Sequence, residues 1–329
     1  MTYNALLAQE NASLSLEHWE IYYRRGALAT GPCGRDGLYD QQIRQAWAAF
    51  FGTLPAAARV LDIGTGNGVV PLLAKQVAAA KGAQWEIHGT DLAQIDPPRH
   101  VADGARRFEG IRFHPGVANE RLPFEDQQFD AVTGHYALEY GDVPATLAEV
   151  LRVLKPGADA EFILHSPDAV LTHSAVVSLR EAELVLKETR LYRRLHKLVC
   201  MDGATNSATE RARQELVLAI RTVKQALSQA SAPGAGQTLR VALDATQQLL
   251  AARREGNPHQ VGREVDRAEK ELRLGARRLS DLVNHACSEA DMERIQQDAA
   301  SAGFTLIECT QQLHLPGVVA GWHLLLHKP

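Results

Sequence analysis

The run Val60-Leu61-Asp62-Ile63-Gly64-Thr65-Gly66-Asn67-Gly68 constrains this chain more than any other stretch. It reads as a buried strand entering a glycine-rich turn, and Val69 to Val77 continues with apolar residues at helical spacing. The turn therefore sits between a strand and a helix. Glycines there let the backbone take conformations that a side chain forbids, and the helix N-terminus offers unpaired N–H groups to a nucleotide. Dinucleotide-binding oxidoreductases also place glycines after their first strand, with G-x-G-x-x-G spacing. Here the spacing is G-x-G-x-G, and Asp62 stands inside the strand end, where it suits a ligand carrying a cationic amino-acid end.

From Arg59 onward, strand and helix patterns alternate, the signature of a parallel sheet with helices on both faces. Strands are predicted near Val60 to Ile63, Trp85 to Thr90, Ile111 to Phe113, Phe129 to Thr133 and Ala158 to His165. Helices are predicted near Val69 to Ala80, Pro98 to Phe108 and Pro144 to Leu154, the last stopped by Lys155-Pro156-Gly157. A helix near Met292 to Ala302 and strands Thr305 to Leu313 and Trp322 to His327 close the chain. Between them lies an insertion, residues 167–288, with no Phe, Tyr or Trp after Tyr192. Leu216, Ile220, Val223 and Leu227, then Leu239, Leu243 and Leu250, then Val265, Ala268, Leu272, Leu279 and Leu282 recur at helical spacing, so the insertion is all-helical. Its breaks are Ser231 to Gly236 and Gly256-Asn257-Pro258. Before the sheet, residues 1–58 are expected to supply N-terminal helices: Leu16 to Leu28, with Trp19, Tyr22 and Tyr23, and Asp40 to Phe51. The first either packs on the main domain or also covers a ligand, and the glycine-rich loop Ala29 to Gly37 between them is of a kind that closes over sites. Residues 59–166 with 289–329 form the core in this reading. Cys33 has no base near it in sequence and is not read as a nucleophile.

Asp91, followed by Leu92, ends the second strand, whose edge borders the glycine turn, and a carboxylate there accepts the ribose hydroxyls of a bound nucleoside. Leu122-Pro123-Phe124-Glu125-Asp126-Gln127-Gln128-Phe129-Asp130 leads into the fourth strand, and Glu149 to Gly157 contains R-V-L-K-P-G. With the first run, these stretches resemble the motifs of class I S-adenosylmethionine-dependent methyltransferases. The resemblance covers about residues 59 to 165 and the terminal strands. It implies a seven-stranded doubly wound α/β sheet of order 3-2-1-4-5-7-6 with strand seven antiparallel, the large helical insertion lying between strand five and the last helix. It also implies S-adenosylmethionine as cofactor, S-adenosylhomocysteine as product, and Asp62, Gly64, Thr65, Gly66, Asn67, Gly68, Asp91 and Leu92 as cofactor-binding residues. The family's adenine-binding Asp falls on Ala118, a departure that leaves Asn119, Glu120 or backbone groups to meet the adenine. Ala158 replaces the second glycine of the fifth motif, which is mostly structural.

The fourth strand ends in Gly134-His135-Tyr136-Ala137-Leu138-Glu139-Tyr140. In this fold the substrate meets the cofactor just beyond that edge, so His135, Glu139 and Tyr140 are the catalytic candidates, with Tyr136 beside them and His135 also bordering the cofactor. A general base matters only if the acceptor must lose a proton; His135 or Glu139 suits that task. Asp96-Pro97-Pro98 resembles the D-P-P-Y motif of base-modifying methyltransferases, but follows the wrong strand and ends in Arg99. His165 and His173 lack partners at metal-ligand spacing, and no metal is expected.

Composition narrows the acceptor. The 329 residues carry a net charge of −4, so nothing points to a phosphate backbone, and nucleic acid is a disfavoured partner. Four cysteines without a C-x-x-C pair suggest free thiols of a reducing compartment. Met1 to Ser15 lacks the features of a signal peptide, and the longest apolar runs, such as Leu324 to Leu326, are too short to cross a bilayer, so a soluble cytoplasmic protein is expected. The leading expectation is methyl transfer to a small-molecule oxygen or nitrogen nucleophile. A protein or RNA methyltransferase comes second, with Arg190, Arg193, Arg194 and Lys197 as the one dense basic cluster, and a non-catalytic cofactor-binding protein third. The insertion either recognises the acceptor, forms a homodimer interface or stabilises the fold.

Overall fold

The computed structural model describes residues 16–31, 33, 37–201, 206–232 and 234–329. The expectations for Met1 to Ser15, and for Pro32, Gly34 to Asp36 and Pro233 within their loops, lie outside these. The chain divides into two compact units: residues up to 164 with 289–316 and 322–329, and residues 165–288 with 317–321.

The first unit is built on a sheet of order β3-β2-β1-β4-β5-β7-β6. Its strands are β1 (Arg59–Ile63), β2 (Glu86–Asp91), β3 (Ile111–Pro115), β4 (Phe129–His135), β5 (Leu154–Leu164), β6 (Thr305–Leu315) and β7 (Val318–His327). The central strands β1, β2 and β4 are buried along nearly their whole length, polar residues included, because helices cover both faces, as parallel sheets require. Val60 pairs with Ile87 on one side and Ala131 on the other, both parallel. β7 runs antiparallel to β5, from Asp159 opposite His327 to Leu164 opposite Trp322. This is the order that the sequence resemblance implied. Strand order reverses between β1 and β4, so their C-terminal ends frame the crevice where ligands of such sheets bind.

Helices α1 (Glu17–Arg24) and α2 (Gln41–Gly52) precede the sheet. Asp40 caps α2, its Oδ1 accepting from the N–H groups of Gln42 and Ile43 at 2.9 and 3.3 Å. α3 (Val69–Lys81) starts at Gly68 and stops at Gly82, both with positive φ. The single helix expected over 98–108 is instead two short turns, α4 (Pro97–His100) and α5 (Gly104–Arg107). Val101 between them is extended and Asp103 takes a φ of 58°. Gly104 lets the turns close on each other, since a Cβ there would lie 2.5 Å from the Pro97 carbonyl oxygen. α6 (Val143–Val153) is capped by Asp142, and β5 begins at once, earlier than expected. α12 (Glu289–Ala302) completes the unit after the helices named next. Trp47, Phe51, Phe129, Phe162, Leu61 and Leu147 are among its fully buried side chains.

The second unit is helical: α7 (Val170–Glu183), which widens into a π turn over Leu184–Glu188, then α8 (Leu191–Val199), α9 (Ser207–Gln229), α10 (Gln237–Glu255) and α11 (Pro258–His285). It has a core of its own around Val185, Leu191, Leu195, Leu216, Val223 and Val265. The carboxylate of Glu181 accepts from the N–H groups of Gly236 and Thr238, closing the start of α10. All four cysteines are free thiols. Among the described residues, no helix is long and apolar enough to cross a membrane.

Candidate active site

The glycines of the turn take left-handed backbone conformations. Gly64, Gly66 and Gly68 have φ values of 57°, 52° and 79°, a region that costs side-chain-bearing residues strain. A Cβ on Gly64 would meet that of Ala137 at 2.4 Å. The Thr65 N–H donates to the Thr90 carbonyl at 2.8 Å, fastening the turn to the end of β2.

Two buried carboxylates flank this turn. Asp91 accepts from the Gly66 N–H through one oxygen and from the Ala93 N–H through the other, both at 2.8 Å. Burial pushes its pKa up to about 6, against the pull of those two donors. Asp62, on β1, accepts from the Thr133 hydroxyl of β4 at 2.8 Å. Burial pushes it up to about 7; hydroxyls of Thr65 and Thr133 oppose the shift and the charge of Asp91 adds to it. Each carboxylate oxygen retains capacity for a second donor. A cation placed at Asp62 and a diol at Asp91 are the ligand groups this pair fits.

α1 covers the turn. The Tyr23 ring lies against Gly66, so close that a Cβ there would be 2.8 Å from it. The Asn67 side-chain amide donates to the carbonyls of Tyr23 at 2.9 Å and Ala27 at 2.7 Å. Asn67 therefore clasps the chain's own N-terminal segment. Tyr23 also packs on Ala93 and Ile95 after β2, with Trp19, Tyr22 and Phe113 around them. Trp19 in turn meets Tyr140 edge-on, ring centroids 5.7 Å apart. Leu92 is half exposed at the rim.

At the end of β4, His135 and Glu139 are both buried. His135 Nδ1 accepts from the Trp47 indole N–H at 3.1 Å, and Tyr39 stacks on the imidazole with centroids 4.0 Å apart and planes 15° apart. Because Nδ1 spends its lone pair on Trp47, a neutral His135 carries its proton on Nε2. Tyr136 stands edge-on to His135 in a left-handed conformation, φ 56°, its N–H donating to the Ile163 carbonyl at 2.7 Å. Burial, then Glu139 and Asp40, hold the Tyr136 phenol well above its ordinary pKa. The Tyr39 phenol is raised by burial first, then by Tyr136, with Asp62 among the lesser causes. Tyr39 and Trp47 were not singled out in the sequence. Their signal was the stripe Tyr39, Ile43, Trp47, Phe51 at i, i+4 spacing, which announces burial but not the histidine it meets.

On the expected adenine side, the Val117 N–H donates to the Asp91 carbonyl at 2.9 Å, which holds Ala118 and Asn119 beside the end of β2. Glu120 turns elsewhere: its carboxylate accepts from the Asp142 N–H at 2.8 Å and faces Gly141. The Leu122 to Asp130 stretch and the R-V-L-K-P-G run are one structural assembly. Arg152 donates to the carbonyls of Leu122 and Phe124 and to the carboxylates of Asp126 and Glu149, all within 3.0 Å, and Lys155 pairs with Asp130 at 2.7 Å. His165 is buried in the helical unit, where burial, His285 and Arg278 push its pKa down to about 3 and keep it neutral.

Residues 60–157 match the family model described as a methyltransferase domain. The demethylmenaquinone methyltransferase of Chlorobaculum parvum is 35% identical over 106 residues, which is 32% of this chain and 40% of that protein. The ubiquinone/menaquinone biosynthesis C-methyltransferase of Desulfotalea psychrophila is 34% identical over 134 residues, 40% of this chain and 50% of that protein. The chain thus spans half or less of the length of these curated relatives. The crystal structure of a SAM-dependent methyltransferase from Aquifex aeolicus aligns over 86% of this chain and 87% of its own, at 10% identity and a TM-score of 0.40.

Proposed function

We propose that this chain, whose residues 60–157 form a methyltransferase domain of the class I S-adenosylmethionine-dependent type, is an enzyme that methylates a small molecule. The observation that carries the reading is the pair of buried carboxylates on either side of the left-handed glycine turn, Asp62 raised to about 7 and Asp91 to about 6. Asp62 would meet the ammonium of S-adenosylmethionine and Asp91 its ribose hydroxyls, while the left-handed backbone at Gly64 and Gly66 makes the turn that runs between the two carboxylates. When bound, S-adenosylmethionine supplies an electrophilic methyl group and departs as S-adenosylhomocysteine. The chain's own task is alignment, which supplies on the order of 7 kcal/mol or more when donor and acceptor are held in attack geometry.

At the acceptor end, Trp47 fixes the His135 tautomer, so we assign His135 Nε2–H the role of a donor that orients the acceptor. The general-base role falls to Glu139, with Tyr140 at the rim. The quinone-related names of the relatives favour a flat acceptor, and the acceptor atom is oxygen, nitrogen or carbon. A macromolecular acceptor has less support. Of the basic cluster, Arg193 and Lys197 pair with Glu269 and Glu215, and Arg194 donates to the Glu215 carbonyl, so three of its four cations are engaged by the helical unit's own groups. For the helical unit, acceptor recognition is the role proposed; a chain lacking 167–288 that binds cofactor but no longer methylates supports it.

The test is calorimetric titration with S-adenosylhomocysteine, followed by a screen of phenols, quinols and amines with a labelled methyl donor. Binding that is lost in Asp62→Ala, together with turnover that falls at least tenfold in Glu139→Gln, is expected. Absence of cofactor binding overturns the reading, and binding without turnover on any class of acceptor returns it to a non-catalytic cofactor-binding protein.

A further inference from the structure

The sheet has two edges, and only one is protected. β3 is short, ends at Pro115 and carries Arg112, whose guanidinium pairs with Glu86. These are the usual defences of an edge strand. β6 has none of them. It runs from Thr305 to Leu315 without a proline, lysine or arginine, and it lies at the outer end of the sheet. Leu306, Ile307, Leu313 and Leu315 on this strand are between 37% and 53% exposed. They make up half of the large apolar side chains exposed among the described residues, so the exposure is concentrated on one strand.

The strand is also complementary to itself. Turned antiparallel about Thr310, it sets Ile307 of one copy opposite Leu313 of the other, twice over, and Thr305 opposite Leu315. Side chains on the same face stay together because the two positions of each pair share parity. Its one acidic residue, Glu308, falls opposite the neutral Gln312, and His323 already stands 3.8 Å from it on its own sheet. No like charges oppose one another in this register. Two contacts tie the strand to helices of its own unit. His314 bonds Asp40, the cap of α2, and Cys309 accepts from Gln296 of α12 at 3.5 Å.

We propose that β6 is the interface through which two copies of this chain pair, antiparallel about Thr310, joining their sheets into one. The occupant is a second copy because, in this register, Ile307 and Leu313 are each other's apolar partners twice over and the single acid, Glu308, meets the neutral Gln312. A lone pair of strands is marginal in water, but here each already belongs to a seven-stranded sheet, so pairing adds backbone hydrogen bonds and apolar burial without ordering new chain. Since His314 and Asp40 tie β6 to the helix that carries Trp47, pairing would also steady the His135 partner.

Sedimentation and light scattering of the full chain should report a dimer. Ile307→Lys with Leu313→Lys should shift it to monomer, with far-UV circular dichroism unchanged because both sites are exposed. In a Cys309→Ser background, Thr310→Cys should give a disulfide-linked dimer under mild oxidation and Thr305→Cys should not, since only residue 310 meets its own copy. A monomeric native chain, a dimer indifferent to the paired lysines, or equal cross-linking at 305 and 310 overturns the proposal.

Discussion

Burial holds the Asp62 carboxyl at about 7 and that of Asp91 at about 6 against 3.8 for an ordinary aspartate, and both shifts have the same sign. A carboxyl raised on folding binds its proton more tightly in the native state, so its contribution to stability is present at low pH and declines as pH climbs from about 4 through about 7. A ligand ammonium reverses this by favouring the ionised form. S-adenosylhomocysteine affinity is therefore expected to rise with pH up to about 7 and to fall only at the higher pH where the ligand's own amino-acid ammonium loses its proton. Calorimetry near pH 6.5 in buffers of different ionisation enthalpy should show net proton release on binding, and Asp62→Asn should abolish both the rising limb and the release. The same substitution should raise the melting temperature at pH 8, because it removes a buried charge while keeping an acceptor for Thr133. Asp62 and Asp91 were legible in the sequence because each is fixed by a short-range pattern, a strand end beside a glycine turn. The Trp47 bond to His135 was not, since it joins residues 88 apart and depends on how a helix crosses a sheet.

At the scale of elements, the two later motifs are joined by one side chain. Arg152, on α6, ties the loop before β4 to the helix before β5, and its guanidinium is only 31% exposed. Arg152→Met should leave two carbonyls without their donor and Glu149 with only the Leu122 N–H, and lower stability by about 2 kcal/mol, a figure moderated by that exposure. Urea denaturation checks this. Cofactor affinity of the folded variant should stay within about threefold, since nothing in the assembly touches the glycine turn. Helix and strand identity along the core followed from the alternation of short strand and longer helical patterns. The expected helix over 98–108 broke because Asp103 and Gly104 let two turns fold back on each other, a contact that periodicity does not record. Likewise α1 was legible as an amphipathic helix, but its place over Gly66 was left open, because the Tyr23 contact spans the whole of β1.

Across the molecule, the two units differ in their optical probes. Trp19, Trp47, Trp85 and Trp322 all belong to the sheet unit, whereas α7 to α11 dominate the helical signal of the other. Leu195→Ala, which empties a fully buried site in the helical core, should cost that unit about 3 kcal/mol. The loss should appear as an earlier transition in circular dichroism at 222 nm, with tryptophan fluorescence unchanged; coincident shifts in both probes would show one cooperative unit instead. The position of β7 carries a different consequence, one of timing. It lies between β5 and β6 in the sheet yet is among the last segments of the chain. On a ribosome adding about 5–20 residues per second, the roughly 150 residues between the end of β5 and the start of β7 take on the order of 10–30 s to appear. Throughout that interval the flank of β5 faces the nascent-chain environment unpaired, while the helices made meanwhile have time to assemble from local contacts. The cell must keep a half-finished sheet from finding the wrong neighbour, and the burden falls on whatever attends the chain at the tunnel exit.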